Sequence, residues 1–226
     1  MADDPVKAVR LSPDKGLVTW GAEGQEGGPY HSRKFTVPSE SSGLTIGRGY
    51  DMKERTTGEI ANDLMKAGVG KEDAEKIAKA AGLKGDAARK FIAANKLEAF
   101  EISMDGQVTL FDAVYDALFK DTKRLCDKSD VVKKYGSVDW DKLDPTIRDI
   151  LVDMRYRGDF EATARQKLQK LVVANDLEGF AAVVSKKENF PNVPADRFKR
   201  RKELLDAAVA EKAKKDKLAA PQIKLP

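Results

Sequence analysis

Residues 42–52 read Ser42-Gly-Leu-Thr-Ile-Gly-Arg-Gly-Tyr-Asp-Met52. The run sets a hydroxyl, Thr45, and a carboxylate, Asp51, on either side of two bare backbone positions, Gly47 and Gly49. β-Branched and aromatic residues favour an extended chain, and glycine lets such a chain approach a ligand or another backbone closely. Leu44 to Tyr50 is therefore expected as a strand. Tyr30 to Val37 alternates loosely and is expected as a second strand, with the turn Pro38-Ser-Glu-Ser-Ser-Gly43 between the two. A small antiparallel hairpin or three-stranded sheet follows. Upstream, Leu17-Val-Thr-Trp20 is a short β-capable run leading into Gly21-Ala-Glu-Gly-Gln-Glu-Gly-Gly28, expected as a turn or a frayed helix end because glycine weakens helix interiors. Gly47-Arg-Gly49 lacks the third glycine of a dinucleotide fingerprint and the Lys-Ser/Thr of a P-loop, which argues against a phosphate site.

Nine of the 17 glycines lie between Gly16 and Gly58, so the chain has a turn-rich front and a long remainder with helical periodicity. Thr57 is a candidate N-cap for a helix ending at Ala67, with Gly68 as its stop. Further helices are expected near Lys71–Ala81, Gly85–Asn95, Thr109–Tyr135, Pro145–Arg155, Ala162–Val173, Leu177–Lys186 and Ala195–Lys217. In the longest of these, Leu110, Val114, Leu118, Leu125 and Val132 recur at helical spacing, widened by Phe111, Tyr115 and Phe119. The segment Ala213–Pro226 loses its period and is expected to fray. The outline is α+β, a small sheet lobe beside a helical lobe, and clefts between such lobes are natural ligand sites.

Lys plus Arg is 41 and Asp plus Glu is 37, a net charge of +4. That balance disfavours a dedicated nucleic-acid binder. Residues 194–217 alone carry nine basic and five acidic side chains, so the whole excess lies in one late segment. Its run Lys199-Arg-Arg-Lys202 is expected on an exposed helix face, diluted by Glu203, Asp206 and Glu211. One cysteine, Cys126, and one histidine, His31, leave no internal disulfide and no Cys/His metal set, so no metal or other cofactor is expected. Cys126 is expected buried and His31 on a strand surface. Acids in Met1-Ala-Asp-Asp-Pro5, where a secretory signal carries basic residues, point to no signal peptide. No stretch approaches the ~20 apolar residues of a membrane span.

The front motif resembles the lysozyme-like muramidases of phage type, and more closely the pesticin-like branch found in bacteriocins and in toxin domains of type VI secretion spike proteins. Glu23-Gly24 and Thr45-Ile-Gly-Arg-Gly49 match the Glu-Gly and Thr-Ile-Gly-x-Gly elements of phage-type enzymes. Gly49-Tyr-Asp51 matches the Gly-Tyr-Asp setting in which the pesticin-like branch carries its second acid. Six residues before the threonine, where the phage enzymes have an aspartate, this chain has Ser39, with Glu40 adjacent. Leu143 to Gly158 resembles the family's central helix and following turn, and Arg197-Phe-Lys-Arg-Arg-Lys-Glu203 its late arginine-rich helix. The likeness runs from residue 16 to about 210. It implies an N-terminal extension (1–15), a muramidase domain (16–212) with its sheet lobe at about 16–58 and its helical lobe at about 59–212, an active-site cleft between them, and a C-terminal tail (213–226).

The resemblance implies a peptidoglycan hydrolase that cleaves the β-1,4 bond after N-acetylmuramic acid with inversion. Glycoside hydrolysis needs one acid to protonate the leaving oxygen and a second carboxylate to activate water or attack the sugar. Glu23, in a glycine-rich turn close to Trp20, suits the first role. Asp51, with the Thr45 hydroxyl orienting the water, suits the second. Glu26 stays open beside Glu23, and Glu40 beside Asp51. Tyr30, Arg33, Tyr50 and Tyr156 are candidate sugar contacts, because aromatic faces and guanidinium donors suit glycans. The implied partners are peptidoglycan glycan strands and a periplasmic immunity protein. A monomer is expected, acting in the periplasm or on the wall of target bacteria after delivery as a toxin or lysin. A non-catalytic wall-binding or structural module of the same fold is the alternative.

Overall fold

The structure, a computed structural model, describes residues 9–219. The fold is α+β, mostly helical with one small two-stranded antiparallel sheet. In chain order come α1 (Leu17–Ala22), β1 (Thr45–Ile46), β2 (Tyr50–Asp51), α2 (Thr57–Lys66), α3 (Lys71–Ala78), α4 (Gly85–Ala94), α5 (Met104–Cys126), α6 (Ser129–Tyr135), α7 (Pro145–Arg157), α8 (Ala162–Val173), α9 (Leu177–Val184) and α10 (Ala195–Ala219). The chain divides at Ala117–Leu118, inside α5, into an N-terminal and a C-terminal unit.

In the N-terminal unit the expected strand Leu44–Tyr50 is instead a hairpin closed on itself. β1 pairs with β2 in the register Thr45↔Asp51 and Ile46↔Tyr50, and Gly47-Arg48-Gly49 forms the turn. Gly47 and Gly49 have φ of +64° and +89°, a region that glycine enters without the steric cost of a Cβ. The expected strand Tyr30–Val37 is reduced to isolated bridges, of which Thr36↔Thr45 joins the hairpin through reciprocal bonds of 2.8 and 2.9 Å. Leu17–Trp20, read as β-capable, begins a helix. Its Val18, Thr19 and Trp20 are buried, and the Trp20 ring meets Phe111 edge-on at 5.2 Å, so tertiary packing overrides a weak local preference. Leu44, Ile46, Tyr50 and Met52 of the hairpin share the core with Ile60 and Leu64 of α2, Ile77 of α3 and Leu110 of α5. The N-cap of α2 is Thr56 rather than Thr57: Thr56 and Glu59 exchange bonds in a capping box, which satisfies two otherwise orphaned donors. The extension ahead of residue 16, where described, is held to α5: Arg10 pairs with Asp105 and Asp112, and Lys15 with Asp116.

In the C-terminal unit the helix expected over 109–135 is two helices, broken at Asp127 and Lys128, where the Asp127 carboxylate accepts the Trp140 indole N–H at 3.1 Å. α7 starts at a proline whose N-cap, Asp144, accepts from Thr146 and Ile147, and it ends at Gly158 with φ +91°. Ile147, Ile150, Leu151, Val152 and Met154 bury this helix, and Asp153 among them is fully buried. Its carboxylate accepts from Arg197 Nη2 and from Arg201 Nε, both at 2.6 Å, while Arg201 Nη2 reaches Asp159 at 2.8 Å. The basic run 199–202 is therefore not one exposed face: Arg201 is buried, while Lys199 and Lys202 pair outside with Glu203 and Asp206. The segment expected to fray stays helical as far as Ala219, supported by Glu211–Lys215 at 2.7 Å and Lys212–Glu178 at 2.6 Å; residues 220–226 lie outside those described. Cys126 is buried, and burial pushes its thiol up to about 12. Among the described residues no helix is long and apolar enough to cross a membrane.

Removing one partner of a buried ion cluster leaves the others charged and unpaired. Asp153→Ala is expected to destabilise the protein by about 3–5 kcal/mol, measured by urea denaturation at pH 7. A loss below about 1 kcal/mol, the usual worth of an exposed pair, would show that the cluster does not hold α10 to α7.

Candidate functional site

Arg48, at the tip of the hairpin turn, points inward and is 7% exposed. Its guanidinium carbon lies 4.1 Å from the centre of the Trp20 ring. Nη1 donates to the carbonyls of Trp20 at 2.5 Å and Gly24 at 2.8 Å, and Nη2 faces Glu26 Oε1 at 3.4 Å. Burial lowers the Arg48 value, with Glu26 acting against that shift. The two carbonyls belong to Trp20, in the last turn of α1, and to Gly24, and Glu23 lies between them as the C-cap of α1, half-buried, its N–H donating to Thr19 at 3.0 Å.

Glu26 is the hub of a second set of contacts. Its carboxylate accepts from Gln107 Nε2 at 2.8 Å and Arg33 Nε at 2.9 Å, besides Arg48. Burial pushes the Glu26 carboxyl up, but the Gln107 and Arg33 hydrogen bonds and the charges of Arg33 and Arg48 outweigh it, leaving the group below its ordinary value. A carboxylate held ionised in this way has no proton to give. Glu26, open as an acid on sequence grounds, is thus a counter-ion.

Thr45 and Asp51 are directly opposed in the hairpin register, which puts both side chains on one face. Thr45 is buried and its hydroxyl donates to the Gly43 carbonyl at 3.1 Å. The half-buried Asp51 accepts the Gly43 N–H on both oxygens at 3.1 Å and the Lys53 N–H on Oδ1 at 2.9 Å. Three bonds fill most of a carboxylate's roughly four acceptor positions and leave capacity on Oδ2. Glu40, the other open second acid, turns to α4 and pairs with Arg89 at 2.7 Å, and Ser39 bonds to Ser42 at 2.8 Å.

The candidate sugar contacts separate. Tyr30 is exposed (76%), free of the core. Arg33 directs Nε to Glu26 and Nη1 to Glu101 at 2.5 Å. Tyr50 is overturned as a contact: it has no exposed surface, its hydroxyl donates to Asp63 at 2.8 Å, and burial with that bond pushes its phenol well up. Tyr156 belongs to α7 in the C-terminal unit, half-buried, with the Arg197 guanidinium 5.7 Å over its ring. His31, expected on a strand surface, instead secures the turn: its Nδ1 accepts the Gly27 N–H at 2.7 Å and its Nε2 faces Glu101 at 3.1 Å.

Sequence reasoning missed Arg48 and Gln107. An arginine between two turn glycines was the available signal for the first. Gln107 lies 81 residues from Glu26 and left none. Among the described residues no group of three or more His, Cys, Asp or Glu side chains is placed to hold a metal ion.

Residues 16–202 match a family described as a domain of unknown function, DUF8812, and with most of its length matched the chain belongs to that family. No curated protein matches it.

Because the folded Glu26 carboxyl is the stronger acid, its contribution to stability is fully present above the unfolded value of about 4.3 and is lost as pH falls through the folded value. Glu26→Gln is expected to flatten the fall in stability between about pH 5 and 3, and to lower stability at pH 7, in denaturant titrations at stepped pH. Parallel curves for the two proteins would remove Glu26 from this role.

Proposed function

We propose that this DUF8812 chain is a peptidoglycan muramidase with Glu23 as general acid and Asp51, assisted by Thr45, as the group that activates water. One observation carries the reading: the hairpin that pairs Thr45 with Asp51 also carries Arg48, whose guanidinium reaches the carbonyls on either side of Glu23. Two carboxylates far apart in sequence are thereby tied through one short element, as acid and base on opposite sides of a scissile bond require. The binding of Glu26 by three donors supports Glu23 as the proton donor of the turn. Oδ2 of Asp51 keeps an acceptor position for a water. By the resemblance to the lysozyme-like muramidases, the reaction is single displacement with inversion, on glycan strands in the periplasm or on the wall of a target cell. A toxin of this kind calls for a partner protein that blocks the site in the producing cell.

A non-catalytic wall-binding module is the second reading, and the three backbone bonds to Asp51 favour it, since they also suffice to brace the turn from Gly43 to Lys53.

Glu23→Gln and Asp51→Asn are each expected to cut release of reducing ends from purified peptidoglycan by roughly 100- to 10,000-fold, the usual worth of general acid–base catalysis, with unchanged circular dichroism. Cosedimentation of the wild type with peptidoglycan but no new reducing ends would select the binding module. For the active enzyme, proton NMR of the first product is expected to show the α-anomer; initial β-anomer would exclude inversion.

A further inference from the structure

Turn residues between two strands ordinarily face solvent, because a charge taken from water must be repaid by partners. Arg48 departs from that pattern, and its contacts specify what it does. The last carbonyls of a helix have no partner within it, and Arg48 Nη1 supplies one to Trp20 at the end of α1 and another to Gly24 beyond. The guanidinium carbon lies over the Trp20 ring, 4.1 Å from its centre, and Nη2 faces Glu26. The aliphatic stem passes so close to Gly24 that a Cβ there would meet Arg48 Cγ at 2.8 Å and Ser32 Oγ at 3.0 Å. The glycine after Glu23 is thus required by the arginine of the hairpin, although 24 residues separate them.

We infer that Arg48 is the positioning residue of the site: it fixes the backbone on both sides of Glu23 to the hairpin that carries Thr45 and Asp51. This rests on the muramidase reading for its catalytic consequence, and on geometry alone for the clamp. A planar fork bonded to carbonyls while lying on a ring is a task for arginine; lysine, a point charge on a flexible stem, keeps the charge and loses the geometry. Misplacing a reacting group by about 1 Å costs on the order of 100-fold in rate.

Two variants separate the clamp from simple loss of stability. Arg48→Lys is expected to lower kcat on peptidoglycan by roughly 100-fold with KM within about twofold. Gly24→Ala leaves every charge in place and pushes the Arg48 stem aside, so it is expected to lower kcat similarly. The double variant is expected to fall no further than the worse single one, because both changes break the same contact. Nitrogen-15 relaxation gives a readout that needs no activity: amides 21–26 are expected to become mobile in Arg48→Lys while those of Thr45 and Asp51 stay rigid. Unchanged kcat in Arg48→Lys, a rise in KM alone, or additive losses in the double variant would each overturn the positioning role. Amides 21–26 as rigid as in the wild type would overturn the clamp. If Arg48→Lys fails to fold, Gly24→Ala carries the kinetic and relaxation tests. An inactive wild-type protein would sink the muramidase reading, and the relaxation measurement would still decide the clamp.

Discussion

The charge of Arg48 inside the N-terminal unit is the constraint to which the neighbouring elements conform. A guanidinium removed from water needs acceptors for its N–H groups and a negative charge close by. The turn that delivers it has to be tight, so Gly47 and Gly49 take positive φ. The ring of Trp20 and the end of α1 supply a face and a carbonyl, which fixes a six-residue helix too short to be stable alone. Glu26 supplies the opposite charge and is itself held by Gln107 of α5 and by Arg33. Arg33 reaches Glu101, which His31 also faces, and His31 accepts from Gly27. A segment with little regular structure is thus held by a chain of polar contacts leading back to one arginine.

The C-terminal unit handles buried charge differently. α10 is 25 residues long, and its buried residues are Arg197, Arg201 and Leu205, successive at four-residue spacing. Two of the three positions facing inward are cations, so the helix docks through Asp153 and Asp159 as much as through apolar contact. Burial pushes the Asp153 carboxyl up, and the hydrogen bonds and charges of Arg197 and Arg201 overcome this and leave it lowered. Ion pairs of this kind add little net stability compared with apolar packing of the same shape, but they are directional. A leucine stripe would accept α10 at several rotations, whereas two arginines on one carboxylate accept very few.

How much of this was legible in the sequence depended on whether the deciding contact was local. Ala162–Val173 was read to the residue, and Lys71, Gly85, Pro145, Leu177 and Ala195 as starts, because helical periodicity and caps are short-range signals. The capping box displaced the N-cap from Thr57 to Thr56 by an equally local rule, reciprocal bonding to Glu59. The failures are non-local. Trp20 is helical because of Phe111, the break after α5 coincides with the bond of Asp127 to Trp140, and Tyr50 is buried because the hairpin turns its ring toward Asp63 and Arg55. Thr45 and Asp51 belong to one motif, and their opposition follows once the two glycines close the turn. The two glycines around Arg48 mark it as a turn residue, but its inward direction is set by Trp20 and Glu26, more than 20 residues away in sequence.

Glu23 and Glu26 are three residues apart on one glycine-rich turn, and the proposed reading gives them different roles. A guanidinium with no counter-ion beside an acid favours the ionised carboxylate, the wrong state for a proton donor. Under the proposed muramidase reading, placing Arg48 against the backbone around Glu23 would therefore fix the acid and oppose its chemistry at once. Glu26 removes the conflict: it takes the charge of Arg48 while Gln107 and Arg33 keep it ionised. Arg48 thus meets the turn at the carbonyls of Trp20 and Gly24 and at the Glu26 carboxylate, so one side chain holds both the backbone around Glu23 and the charge three residues on.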